Sequence, residues 1–461
     1  MVIDNLKCFI IERRLNKLRK RLWNLKFSDI TNQIKKVDSK ILEEIQKFKL
    51  LKTLKHSAEN SPFYREKVKH VIPRIGLNRV FSLIDEVPFT TPDDVSKRHN
   101  SFLSVPYSDV VAFHFTAGTT GKSKRLYLSK SDLEMVIYNY YLGLLSSELE
   151  KTDVAQIMYS FGIWQLGNLY QQALNKMGVK CLPTGNHISF EEQSEYIKDY
   201  DVSFIAGTPS YVYQFSREVD LLTSSREKMK TIQMGGEHLS QRKRSYIEGK
   251  IGGEIFLAYG LMEFGGGIGS ECKNHQGYHV LTTVYPEIVD LNNGEPVENE
   301  EFGELVLTSL DREAMPLLRY RTRDITRFVD GECDCGLKLQ LIDYIKGRCD
   351  DRVTIGTAEK YYPIVFEELF DDIHEVNDFQ IEISKTNGRD HLNVYVKAKN
   401  PSENLKAKII GKLYEISSLK MDVENTKTVS APQILFTEEM SHGIKKRSVI
   451  DKRRNVWSSR P

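Results

Sequence analysis

The sequence predicts an α/β protein: a large N-terminal domain with helices packed on parallel or mixed sheets, followed by a small C-terminal α+β domain. Three observations carry this prediction. Between about residue 105 and residue 310, β-rich runs ("DVVAFHF", "DVAQIMYSFG", "VSFIAGTP", "KTIQMGG", "GEIFLAYG") alternate with helical stretches such as "SKSDLEMVIYNYYLGLLSSELE" and "SFEEQSEYIKDY", the pattern of parallel strands joined through helices. After about residue 345 the texture changes to short alternating strands ("FQIEIS", "HLNVYVKAK", "TVSAPQILFTEE") with helices between them in a charged setting. At 461 residues and 40% hydrophobic side chains, the chain can bury a sizeable core and form two or more domains.

The chain opens on a helical segment, residues 1–60, which is expected to pack on the main domain. Leu6, Phe9, Ile10, Leu15, Leu18, Leu22, Leu25 and later Ile41, Ile45, Phe48 and Leu51 recur at helical spacing. Its first half is rich in Lys and Arg, from Lys7 to Lys26. A basic amphipathic helix of this kind is more often a solvated face than a contact with an anionic membrane surface or an acidic partner. The large domain is expected over 61–347 and the small one over 348–461.

Composition excludes several functional classes. The 65 basic and 63 acidic residues nearly cancel, so the chain lacks the general field of a nucleic-acid-coating protein. No apolar run approaches the ~20 residues of a membrane-spanning helix, and Glu12, Arg13 and Arg14 interrupt the N-terminal stretch where a signal peptide would need continuity. Six cysteines, unevenly placed, make no disulfide framework. The expected compartment is therefore the reducing cytoplasm.

The segment "FHFTAGTTGKSKRLYLSKSDLE" has the composition of a phosphate cradle. A hydrophobic strand (Val110 to Phe115) runs into Gly118 and Gly121 among hydroxyl residues, then Lys122 and Lys124. Glycines let the backbone wrap phosphates, N–H groups and hydroxyls donate to their oxygens, and lysine offsets their charge. The segment nearly meets the P-loop pattern G-x-x-x-x-G-K-[ST], but Thr116 stands at the first glycine. The following "SKRLYLS" also reads as extended, with a helix only from about Ser131, where a P-loop opens directly into one. A plain hairpin connection remains the other reading of the loop alone.

"TAGTTGKSK" resembles the phosphate-loop signature of the adenylate-forming superfamily (acyl-CoA synthetases, adenylation domains, luciferases), T/S-S/A-G-T-T-G-x-P/S-K. Further segments match in order, and from "HSAENSPFYREK" near residue 60 to "VIDKR" near residue 450 the chain resembles the phenylacetate-CoA ligase-like family. The resemblance implies triphosphate binding by Thr116, Ala117, Gly118, Thr119, Thr120, Gly121, Lys122 and Lys124. "YGLMEFGGGIGSEC" resembles Y-G-x-x-E, which implies that Tyr259, beside Gly260, stacks on adenine and Glu263 binds the Mg²⁺ of MgATP. "PLLRYRTRDITRF" resembles R-Y-R-T-x-D, implying that Asp324 accepts the ribose hydroxyls. "IKGRCDDRVTIG" resembles G-R-x-D-D, implying that Arg348 contacts the ribose and Asp350 is the hinge of a mobile small domain.

The same resemblance implies a catalytic lysine between the substrate carboxylate and the α-phosphate. "SHGIKKRSVIDKR" resembles S-E-G-K-A-x-R-V-I-D-x-R with one residue more before "VIDKR". Counting back from "VIDKR" selects Lys445, with Lys446 as the fallback. Thr116 and Glu263 complete the expected catalytic set. For the acid pocket, the matching segments "YSFGIW" and "MGGEHL" imply Tyr159, Phe161, Trp164, Met234 and Gly235 as walls, with Gly236 and Glu237 near the adenine or pocket mouth. Aromatics after a buried strand are as often simply core.

Cys272, His279, Cys333 and Cys335 form a second constellation, three thiolates and an imidazole suited to a closed tetrahedral Zn²⁺ site without catalytic role. Some phenylacetate-CoA ligase-like proteins carry such a site in matching segments. His275 is an alternative ligand. The expected reaction is attack of a carboxylate, aryl or arylacetic on the aromatic content, on the α-phosphate of MgATP, giving acyl-AMP and pyrophosphate. The acyl group would pass to coenzyme A. The family's D-D-M-L-x-x-R-G-x-N-V-F-P loop is altered here to "DDRVTIGTAEKYYP", so a carrier-protein phosphopantetheine or an amine is the alternative acceptor, and a non-catalytic binding relative the third reading. A homodimer is left open.

Overall fold

The computed structural model of the chain describes residues 37–116, 124–163, 165–357, 359–440 and 448–453. Two compact units are present, Met1–Glu237 with Tyr246–Tyr344, and His238–Ser245 with Ile345–Pro461.

In the first unit, helix Ser39–Asn60 begins on Asp38, whose carboxylate caps the Lys40 N–H at 2.8 Å. Its buried face carries Phe48, Leu50, Leu51 and Leu54; of the positions that the helical spacing selects, Phe48 and Leu51 are buried, whereas Ile41 is 54% exposed. Lys49, on the same face, is 6% exposed and its Nζ reaches the Thr282 carbonyl at 2.9 Å and Asp311 at 2.5 Å. The helical opening segment from residue 39 is thus pinned to the body of the unit. The basic stretch from Lys7 to Lys26 lies outside the described residues.

Strands β1 (Val110–Phe115) and β2 (Arg125–Ser129) form an antiparallel hairpin with Phe115 opposite Arg125. Helix Lys130–Gly143 follows at once. Ser129 and Asp132 close its N-terminus as a capping box, which explains why β2 stops where it does.

The main sheet begins with β3 (Val154–Ile157), β4 (Lys180–Leu182), β5 (Phe204–Gly207), β6 (Thr231–Gly235) and β7 (Glu254–Leu261), all parallel, in the order β4-β3-β5-β6-β7. Helices such as Leu166–Met177, Phe190–Asp199 and Pro209–Glu218 connect them. Strands β5 and β6 are buried along their whole length, as strands covered on both faces are. Four of the five β-rich runs read as parallel strands lie in this array, whereas the first, "DVVAFHF", forms β1 of the antiparallel hairpin, because its chain turns straight back into β2.

The sheet does not stay parallel. Past β7 the chain reverses through Met262–Phe264 and Gly265, whose φ of +86° suits glycine. It continues as β8 (Gly266–Ser270), β9 (Tyr278–Val280) and, later, β13 (Leu341–Ile342), each antiparallel to its neighbour. The turn leaves no room for the crossover that a parallel strand requires. Strands β10 (Val284–Val289), β11 (Gly303–Ser309) and β12 (Tyr320–Thr326) add a separate antiparallel array.

The second unit is α+β. It opens with β14 (Gly347–Arg348), a single turn Cys349–Asp351, and the hairpin β15 (Val353–Ile355) with β16 (Glu359–Tyr361). The remaining strands, β17 (Val376–Thr386), β18 (Arg389–Ala398), β19 (Gln433–Phe436) and β20 (Val449–Asp451), form a sheet in the order β19-β18-β17-β20. Helices Pro363–Asp371, Glu403–Leu413 and Ser417–Glu424 belong to the same unit. Its core includes Phe366, Phe370, Ile381, Val394 and Leu413, with the Phe370 ring stacked 4.0 Å from Phe379.

Candidate functional site

Parallel α/β sheets place their loops for ligand contact at the carboxyl ends of the strands. At that end of β7 stand Tyr259 and, in the turn that follows, Glu263. Glu263 is 7% exposed. Its Oε1 accepts from the Lys124 ammonium at 2.8 Å and from the Tyr320 hydroxyl at 2.9 Å. Burial alone pushes this carboxyl up, but the attraction and hydrogen bond of Lys124, with its own N–H and Tyr320 adding to them, leave it below the ordinary glutamate value. The group is a buried carboxylate anion at neutral pH. That chemistry fits a hard divalent cation, which takes oxygen donors and favours ionised carboxylates.

Beside it, the Tyr259 hydroxyl donates to Asp324 Oδ2 at 2.6 Å, both groups being buried. The Asp324 N–H is itself held by the Thr322 hydroxyl at 3.0 Å. The Tyr259 ring leans on Tyr278 with centroids 5.8 Å apart.

Thr116 and Lys124 close the base of the Gly/Thr-rich loop. The Thr116 N–H donates to the Lys124 carbonyl, and the Thr116 hydroxyl accepts from the Lys124 N–H, each at 3.3 Å. The loop therefore joins two strands of a hairpin, the arrangement that separates it from a P-loop. Ala117, Gly118, Thr119, Thr120, Gly121 and Lys122 lie outside the described residues, as do Trp164, Lys445 and Lys446.

Glu237 accepts from the Ser210 N–H and hydroxyl, both at 2.9 Å, and so caps the first turn of helix Pro209–Glu218. Gly236 beside it has φ +88° with open space where a Cβ would stand. Gly235 differs, because a Cβ there would lie 2.7 Å from the Ala258 carbonyl oxygen of β7. Gly260 is more tightly confined still, at 2.2 Å from the Gly266 carbonyl oxygen. Both glycines permit close strand approach. Gly235→Ala is expected to cost about 1–3 kcal/mol through overpacking, read as a lowered Tm in thermal unfolding.

Tyr159 and Met234 are buried, 2% and 0% exposed. The Tyr159 ring stacks on Tyr170 at 5.0 Å, and Tyr170 meets Tyr140 edge-on. Phe161 is half-buried and packs against this tyrosine cluster, close to Gly167 and Gly185. In the second unit, Arg348 lies in β14 and Asp350 in the turn after it. The altered loop is built in: Gly356 donates its N–H to Asp390 at 3.0 Å, and Thr357 gives both its N–H and hydroxyl to Asp422. A Cβ on Gly356 would collide with Asp422, so the glycine belongs at that position in this chain.

Cys272, His279, Cys333 and Cys335 converge, with their ligand atoms all within 4.8 Å of one another. Cys272 and Cys333 sulfurs are 3.6 Å apart, and Cys335 Sγ is 3.3 Å from His279 Nε2. Tetrahedral bonds of ~2.3 Å to sulfur put ligand atoms just under ~4 Å apart, so the set fits Zn²⁺. The alternative ligand His275 is excluded from it. Its ring nitrogens face Glu271 at 3.2 Å and Glu254 at 3.0 Å, and two carboxylates hold the imidazole away from the sulfurs.

Three contacts escaped the reading of the sequence: Lys124 with Glu263, Tyr320 with Glu263, and Tyr259 with Asp324. Tyr320 stands within "RYRTRD", so its segment was visible while its partner was not.

A family model described as AMP-binding enzyme matches residues 26–310. Among curated relatives, the phenylacetate-coenzyme A ligase of Escherichia coli (strain K12) is 29% identical over 371 residues, spanning 79% of this chain and 84% of the relative. That of Pseudomonas putida is 27% identical over 371 residues, spanning 79% and 83%. Among solved structures, 2-hydroxyisobutyryl-CoA ligase in its postadenylation state with R3-HIB-AMP superposes with a TM-score of 0.72 at 19% identity, covering 89% of each chain. That likeness shows the fold.

Proposed function

Since the chain belongs to the AMP-binding enzyme family and is an AMP-forming carboxylate ligase, we propose that it activates an aryl or arylacetic acid as the acyl-AMP and passes the acyl group to coenzyme A. The observation that carries this reading is the meeting of Glu263 with Lys124 beside the Tyr259–Asp324 pair. An ionised carboxylate, a cation from the phosphate-type loop, an aromatic face and a second carboxylate suit the Mg²⁺, triphosphate, adenine and ribose of one nucleotide.

In this reading Thr116, the loop that follows it and Lys124 grip the triphosphate, and Glu263 holds Mg²⁺, which when bound shields the phosphate charge from the incoming carboxylate. Tyr259 stacks on adenine, with Gly260, Gly236 and Glu237 at the edge of the nucleotide. Asp324 and Arg348 hold the ribose. Lys445 stabilises charge on the α-phosphate, and Asp350 acts as the hinge between the two half-reactions. Phe161, Tyr159, Trp164, Met234 and Gly235 are assigned to the acid pocket. Phenylacetate in the names of the curated relatives supports an arylacetic acid. The altered loop, anchored on Asp390 and Asp422, favours a second reading in which the acceptor is a carrier-protein phosphopantetheine or an amine.

Pyrophosphate exchange with a panel of carboxylic acids tests the first step, and AMP release with and without coenzyme A tests the second. Aryl acids are expected to support exchange, with coenzyme A accelerating AMP release. Absence of acid-dependent exchange across a broad panel would sink the proposal, whereas exchange without a coenzyme A effect would leave the second reading.

The Cys272, His279, Cys333 and Cys335 set is proposed to hold a structural zinc, since four ligands leave no open position. Elemental analysis of purified protein is expected to give one Zn per chain. Cys335→Ser should lose the metal and lower Tm by several degrees; metal-free protein of unchanged Tm would refute the assignment.

A further inference from the structure

Arg312 lies between β11 and β12 and is 7% exposed. Neither Nε nor Nη1 nor Nη2 has a hydrogen-bond partner among the described residues. Arginine stays protonated inside proteins, so this is a buried cation whose charge no hydrogen bond relieves. Burial pulls its pKa down, and Asp132 opposes that pull. Asp132 is otherwise occupied, accepting the backbone N–H groups of Ser129, Glu313 and Ala314. Asp311, the neighbour of Arg312 in the chain, pairs with Lys49. Replacing a whole buried charge pair by apolar side chains is often neutral or stabilising, but removing one partner is destabilising. The attraction to buried Asp132 is therefore one reason for the charge, and the absence of hydrogen bonds calls for a second.

Its position supplies one. On one side Arg312 packs on the turn after Glu263, since a Cβ on Gly265 would lie 3.2 Å from Nη1. On the other side its charge reaches His114 of β1, where burial first and Arg312 second bring the imidazole pKa down to about 4. Glu263 is two residues before Gly265, and Thr116 is two residues after His114. The guanidinium thus abuts the Glu263 turn and acts through its charge on β1, the two elements assigned to MgATP, beside a small cavity lined by Met135, Val136, Asn139, Phe264 and Thr283. A charge kept from water in this way is weakly screened and acts beyond contact distance.

We propose that Arg312 is an electrostatic positioning residue of the nucleotide site, its buried charge favouring the triphosphate across the Glu263 turn and the β1 strand without touching it. This rests on the function proposed above. The test uses full-length Arg312→Met and Arg312→Lys, measuring the KM for ATP and for the acid in pyrophosphate exchange, ATP affinity by calorimetry, and Tm. Arg312→Met is expected to weaken ATP roughly tenfold, the scale of a typical coupling, with the acid KM unchanged, whatever fall in Tm the loss of the charge opposite Asp132 brings. Arg312→Lys should restore most of the ATP affinity. Unaltered ATP affinity in Arg312→Met overturns the inference. So does a fall in Tm with both KM values rising together and no rescue by lysine, which marks a structural role. Calorimetry separates the two claims: a wild type without acid-dependent exchange defeats the proposed reaction, while the ATP affinities of the variants still decide on Arg312.

Discussion

Glu263→Gln is expected to lower acid-dependent pyrophosphate exchange by about 10²- to 10³-fold, the effect of removing one preorganised electrostatic group from a transition state. The substitution keeps an oxygen within reach of Lys124 and Tyr320, which contact the native carboxylate at 2.8 and 2.9 Å. It removes the negative charge that would hold Mg²⁺. The loss should appear mainly in kcat and in the Mg²⁺ concentration needed for half-maximal rate. A part of the cost falls on the fold, because Lys124 loses its anionic partner in a site where the lysine side chain is 18% exposed. Breaking one side of a buried pair costs up to ~3–5 kcal/mol, and the partial exposure of Lys124 places the expected loss below that. Circular dichroism and a thermal melt separate the two effects. Exchange within about threefold of wild type, at unchanged Mg²⁺ dependence, would remove Glu263 from the metal site.

Lys445→Ala should abolish most of the first half-reaction, again by about 10²- to 10³-fold, while Lys446→Ala changes it little. Lys445 lies outside the described residues, but the anchor from which it is counted is fixed. Val449 pairs with Ile381, Ile450 with Glu382 and Asp451 with Ile383 in parallel register. Ser448 donates its hydroxyl to Glu367 at 2.6 Å, and Arg453 bridges Asp451 and Asp390. A slip of the "VIDKR" strand by one residue would turn its buried face outward, so the strand from which Lys445 is counted keeps its register. Supplied with synthetic acyl-AMP and coenzyme A, Lys445→Ala should still form thioester, because the lysine is assigned to adenylation alone. Equal loss in both half-reactions would deny it that role, and a loss confined to Lys446→Ala would move the assignment by one residue.

Much of this protein is legible in its residues taken in order. Alternating β-rich and helical runs determined the parallel array from β3 to β7, because the hydrophobic period reports which faces a segment must bury. The resemblance of local motifs to those of the adenylate-forming family singled out Tyr259, Glu263 and Asp324, and donor chemistry singled out the Cys/His set. Tertiary structure decided what those residues touch. The Lys124–Glu263 contact spans 139 positions and the Tyr259–Asp324 contact 65, and no local pattern encodes which distant strand end will lie opposite. The sequence selects His279 and leaves His275 as an alternative ligand; the contact of His279 with Cys335, and those of His275 with Glu271 and Glu254, separate them. Gly235 is similar, since its need for a missing side chain comes from a carbonyl on the neighbouring strand. Arg312 is the extreme case: in the sequence it is one arginine among 65 basic residues, and its burial without a hydrogen-bond partner arises only when the Glu263 turn, β1 and the segment after β11 close around it.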